Sequence, residues 1–132
     1  MERRARRPEP VVVNFLGHEC LIRLHHYRIN DRLALQLVDR RTRQSITFAT
    51  VNFPDLDLKP GEVFIKDYAE NEGLVRTLCE ANVIEPPGPQ TDHIWCPTCK
   101  LAVDVPQKFK EGAFLTRAPK ELDRQMNPDI TR

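Results

Sequence analysis

His93-x-x-Cys96-x-x-Cys99 puts three metal donors within seven residues of this 132-residue chain. Two thiolates separated by two residues can turn onto one ion, and Pro97 stiffens the bend between them; zinc takes such ligands in tetrahedral sites. A structural site needs a fourth donor. Cys79 is favoured, with Cys20, His18, Asp104 and a residue of a second chain as alternatives. The expected cofactor is therefore zinc on His93, Cys96, Cys99 and Cys79. It would order a segment whose Ile94, Trp95, Leu101 and Val103 are too few to order it alone. The competing reading is a metal-free Cys-x-x-Cys, with Cys20 and Cys79 as small core residues.

Two other groups of residues point to binding. Arg3, Arg4, Arg6 and Arg7 crowd the N-terminus, and Arg40, Arg41 and Arg43 sit in a polar loop; together they suit nucleic-acid phosphates. The basic head has no aromatic residue on which a base could stack. Tyr68, Asn71 and Glu72, expected on the first turn of a helix, offer a small polar-aromatic patch for a protein partner.

Catalytic patterns fail one by one. His25 and His26 are neighbours on a strand and point to opposite faces, so they cannot chelate together. Asp55 and Asp57 share a face, but their loop lacks the ligand density of a calcium site. Five glycines form no phosphate-binding loop, and the lone serine, Ser45, lies within a strand. Trp95-Cys96-Pro97-Thr98-Cys99-Lys100 resembles the redox motif of glutaredoxin-like proteins. A Pro-rich stretch precedes it, however, and the thirty-three residues after Cys99 are too few for the rest of that fold. No catalytic residue is assigned, and the chain is read as a non-enzyme.

Apolar residues make up 40% and charged residues 30%, which suits a soluble domain with a modest core. The net charge of +1 excludes a uniformly basic nucleic-acid binder. It conceals an asymmetry: residues 1–44 hold ten arginines against five acids, and residues 45–85 hold three bases against eight. The uncharged stretches 10–18 and 45–54 are about half the ~20 residues of a membrane helix. The basic start lacks the apolar region of a signal peptide, so the cytoplasm is expected, with no membrane partner and with reduced cysteines.

These residues must be held by a small α+β domain. Period-2 alternation predicts strands at 11–16, 20–28, 33–38, 46–50 and 62–66, joined by turns at Asn30-Asp31, 39–44 and Pro60-Gly61. Connections this short require antiparallel pairing. One amphipathic helix follows: Asp67 as N-cap, Glu70 as its capping-box partner, Leu74, Leu78 and Ala81 on the apolar stripe, and Asn82 as a left-handed C-cap. An antiparallel sheet of four to five strands with one helix on one face is expected, with Ile22, Leu24, Leu35, Leu37, Phe48, Ile65, Leu74 and Leu78 as core. The predicted layout is a basic flexible head (1–10), the core domain (11–85), a Pro-rich linker (86–90), a Cys-x-x-Cys extension (91–116) and a mobile tail (117–132).

Leu33-Ala34-Leu35-Gln36-Leu37-Val38-Asp39, Val51-Asn52-Phe53-Pro54-Asp55-Leu56 and the run Gly61-Glu62-Val63-Phe64-Ile65-Lys66-Asp67-Tyr68-Ala69-Glu70-Asn71-Glu72-Gly73-Leu74 carry a likeness. Over roughly residues 19–85 the chain resembles a small domain family of unknown function carried by bacterial plasmids, conjugative elements and phages. The resemblance implies an accessory protein of a mobile element and brings no activity, cofactor or catalytic residue. The expected function is a non-enzymatic protein-interaction module, an accessory or host-modulating factor of a mobile element; the alternative is a nucleic-acid-binding accessory protein that uses the arginines and the zinc-containing tail.

Overall fold

The computed structural model describes residues 8–88 and 96–117. Its strands are β1 (Glu9–Pro10), β2 (Val13–Phe15), β3 (His18–His26), β4 (Leu33–Asp39), β5 (Ser45–Phe48), β6 (Thr50–Val51), β7 (Glu62–Ile65), β8 (Thr98–Lys100) and β9 (Thr116–Arg117); one helix, α1 (Leu74–Glu80), lies between β7 and β8. All strand pairing is antiparallel, in the orders β2-β3-β4-β5, β6-β7-β8 and β1-β9. The fold is α+β, as expected. Among the described residues no helix is long and apolar enough to cross a membrane.

The turns follow from their residues. Phe15 faces His18 across a two-residue hairpin whose Leu16 and Gly17 both take positive φ, 53° and 79°, the twist a tight hairpin needs. Asn30 Oδ1 accepts from the Arg32 N–H, and Asp39 Oδ1 accepts from the N–H groups of Arg41 and Thr42, so each short side chain builds its own loop.

The expected single sheet is instead bent into two. At Ala49 the chain leaves one sheet for the next: its N–H donates to Leu35 on β4, and its carbonyl accepts from the Lys66 N–H just after β7. A bulge beside Leu37 and Val38 puts Thr47 opposite Leu37 and Phe48 opposite Gln36. One extra residue reverses the inward and outward positions. Thr47 is therefore buried and Phe48 is 45% exposed, which corrects the expectation that Phe48 lies in the core. The other seven predicted core residues pack in one cluster.

Residues beyond the linker do not stand apart as an extension. β8 pairs with β7 on one side, while on the other Ile84 bridges Leu101 and Glu85 donates to the Lys100 carbonyl. Residues 112–115 then line the part of β3 that β2 leaves uncovered, with Leu115 donating to Ile22 and Leu24 to Ala113. Cys99, Val103 and Leu115 join the main core, so the boundary expected at 86–90 does not divide the packing.

The helix is shorter than predicted. A 3₁₀ turn (Ala69–Asn71) comes first, and Gly73, at φ 88°, is the N-cap of α1. Asp67 still serves the helix start, its Oδ1 accepting from the Val75 N–H at 3.2 Å. Glu70 is not a capping-box partner; it pairs with Lys66 at 2.7 Å. The C-terminus ends as expected at Asn82, at φ 59°, with Val83 N–H donating to Leu78 and Asn82 N–H to Cys79. The Arg117 guanidinium donates to the Ala81 and Asn82 carbonyls, putting positive charge where the helix dipole favours it.

Candidate functional site

The cysteines come from three elements. Cys99 sits on β8 opposite Val63, 1% exposed, and Cys96 is buried just before the strand. Pro97, the bend between them, accepts at 3.0 Å from the Ile65 N–H, which pins the turn to β7. Cys79 is half-buried on α1. Burial pushes the Cys99 thiol up to about 12, and the charges of Cys79 and Asp67 push it the same way. Burial also raises Cys96 and Cys79; Lys66 works against the shift at Cys96, and Asp67 with it. Thiols held this high are poor nucleophiles at neutral pH.

The donor types suit zinc. Among the described residues no group of three or more His, Cys, Asp or Glu side chains is arranged to hold a metal ion. His93 lies outside the described residues. Of the alternative donors, Cys20 is in the core, where burial and Asp39 raise it to about 11, and His18 is bound through Nδ1 to Asp39 Oδ2 at 2.8 Å.

The protein-partner patch does not assemble. Asn71 is fully buried: its Oδ1 accepts from the Thr47 hydroxyl at 2.7 Å, and its Nδ2 donates to the Phe48 carbonyl at 2.9 Å. It closes the open edge of β5 and cannot meet a partner. Tyr68, with Lys66 5.1 Å from its ring centroid, and Glu72 remain exposed.

Arg40, Arg41 and Arg43 are exposed in the β4–β5 loop; Arg3, Arg4, Arg6 and Arg7 lie outside the described residues. The loop stands at one end of the outer face of the four-stranded sheet. That face holds what the basic head lacks. Arg23 and Arg43 both reach the Phe114 ring, at 4.4 and 5.3 Å from its centroid. His25 lies 5.9 Å from the exposed Phe48 ring and is held through Nε2 by Gln36 Oε1 at 2.8 Å, while Gln36 Nε2 donates to Ser45 Oγ at 3.0 Å. Glu111 stands beside both His25 and His26, at 3.5 and 3.1 Å. Sequence reading missed this group, because Phe114 is distant in the chain and the bulge that turns Phe48 outward leaves no mark in the alternation.

No family model, curated protein or solved structure matches the chain.

Proposed function

We propose that this chain acts by binding, as a non-enzymatic interaction module of the cytoplasm, and that its working surface is the outer face of the four-stranded sheet. The observation that supports this is Phe48. Its ring is 45% exposed beside His25, which Gln36 holds in place, so the face offers a flat apolar contact flanked by polar groups for a partner to cover. A role as an accessory or host-modulating factor of a mobile element belongs to the same proposal and is supported by the resemblance of residues 19–85. Zinc on Cys79, Cys96, Cys99 and His93 is proposed as a staple only, supported by the donor types, and no step of binding depends on it.

The test compares Phe48→Ala with Tyr68→Ala on the full chain. A macromolecule from bacterial extract that the wild type and Tyr68→Ala retain, and that Phe48→Ala loses, supports the outer face. Equal retention by Phe48→Ala removes it.

A further inference from the structure

We infer that the outer face of the four-stranded sheet binds single-stranded nucleic acid. This rests on the reading that the face is the working surface, and it names the ligand.

Charge is the first argument. The four-stranded sheet comes from the arginine-rich first third of the chain, and the β4–β5 loop puts Arg40, Arg41 and Arg43 at one end of it. Arg40 pairs with exposed Glu19 at 3.7 Å, a surface pair of little strength. Arg43 and Arg23 are steadied on one aromatic ring, so their side chains lose less freedom when they meet a phosphate. Glu111, the carboxylate beside His25, accepts from the His26 backbone N–H at 2.7 Å and is one acid against Arg23, Arg40, Arg41 and Arg43.

The second argument is the ring. Phe48 is itself exposed on this face, where Leu21, Ala34 and Val38 are covered, and its neighbour His25 is held by Gln36. An unpaired base can lie on such a ring whatever its sequence, and base–aromatic stacking is a main source of affinity for single strands. In a duplex the bases are stacked on one another and their flat faces are not free, so only the arginines would engage it. An acidic peptide would likewise use the arginines and leave Phe48 idle. A ring and a row of cations on one face fit a single strand best.

The experiment uses the full-length chain with fluorescein-labelled oligo(dT) and oligo(U), and a duplex of equal length, at two salt concentrations. Circular dichroism checks that each variant is folded. Expected are binding of a single strand in preference to the duplex, a loss of about tenfold with Phe48→Ala, and a shallower salt dependence with Arg41→Gln plus Arg43→Gln. No binding at low salt, or binding unchanged by Phe48→Ala, overturns the inference. If capture from extract depends on Phe48 but survives nuclease treatment, the ligand is a protein: the inference falls and the proposed working surface stands. If capture ignores Phe48, the working surface itself falls.

Discussion

The Thr47 hydroxyl donates to Oδ1 of Asn71 at 2.7 Å, and through this bond the turn before the helix is tied to the edge of the sheet. The same amide donates to the Phe48 carbonyl, so one buried side chain satisfies the bulged strand on two counts.

Asn71→Leu removes both partners at once. It is expected to cost on the order of 1–3 kcal/mol for each buried group left unpaired. Adding Thr47→Val, which removes the stranded hydroxyl, should restore part of that loss. Urea midpoints of the two single variants and the double variant measure it. Simple additivity, with no recovery in the double variant, would show that the bond does not couple the turn to the strand.

Leu78 and Phe48 should behave as opposites. Leu78 is fully buried on α1 within the main cluster, and Leu78→Ala should cost on the order of 2–5 kcal/mol. Phe48→Ala, on the outer face, should stay within about 0.5–1 kcal/mol. A urea midpoint shifted as far by Phe48→Ala as by Leu78→Ala would put Phe48 back in the core.

That contrast marks how far the fold was legible. Leu35, Leu37, Ile22 and Leu24 alternate without interruption, and the pairing of β3 with β4 follows them in register. Asn30, Asp39 and Asn82 announce their turns because each needs a short polar side chain or a left-handed backbone. Phe48 escapes the alternation because a bulge changes the face a residue occupies without changing the residue types around it, and Asn71 because a 3₁₀ turn replaces the expected first turn of the helix. The return of residues 112–117 to β3 and to the helix end was not legible either. The contacts with β3 are largely backbone hydrogen bonds, which any side chains can make, and the one with the helix end is made by a single arginine, Arg117, far along the chain. The outer face was hidden for both reasons together, since Phe48 depends on the bulge and Phe114 on the return.

Acid should loosen the hairpin between β4 and β5. The N–H groups of Thr42 and Arg41, together with His18, hold the Asp39 carboxyl well below the usual carboxylate range. A depressed folded-state pKa gives stability that is present above the ordinary value near 4 and is lost as the pH falls toward the folded value. Between pH 4 and pH 2 the urea midpoint of the wild type should therefore fall more steeply than that of Asp39→Asn. Parallel curves would show that the Asp39 charge contributes nothing.

Alkali should act through the buried thiols. Burial lifts Cys20 from 9.0 to about 11 and Cys99 from 9.0 to about 12, so at high pH the unfolded chain ionises while the folded chain does not. Their contribution is intact below pH 9 and is lost between pH 9 and about 11 for Cys20, and between pH 9 and about 12 for Cys99. Cys99→Ala should flatten the alkaline fall of the urea midpoint even though it lowers stability at pH 7. An alkaline limb as steep in Cys99→Ala as in the wild type would exclude Cys99 as its source.

Zinc would reverse that thiol chemistry, which makes the staple testable by reactivity as well as by content. In metal-free, reduced protein at pH 8, the half-buried Cys79 should be alkylated before the almost fully buried Cys99. A bound zinc ion needs thiolates, and it would deprotonate Cys96 and Cys99 despite their burial while shielding Cys79 from the reagent. Because His93 and the thiols must close on the ion, the metal should add stability as well as protection. Protein purified without chelator or metal-affinity tag is expected to carry about one equivalent of zinc per chain. Stripping it should expose Cys79 to alkylation and lower the urea midpoint, and adding zinc back should reverse both. Less than about a tenth of an equivalent in reduced protein, with Cys79 reacting equally fast whether or not zinc is added, would leave Cys96 and Cys99 as ordinary members of the core.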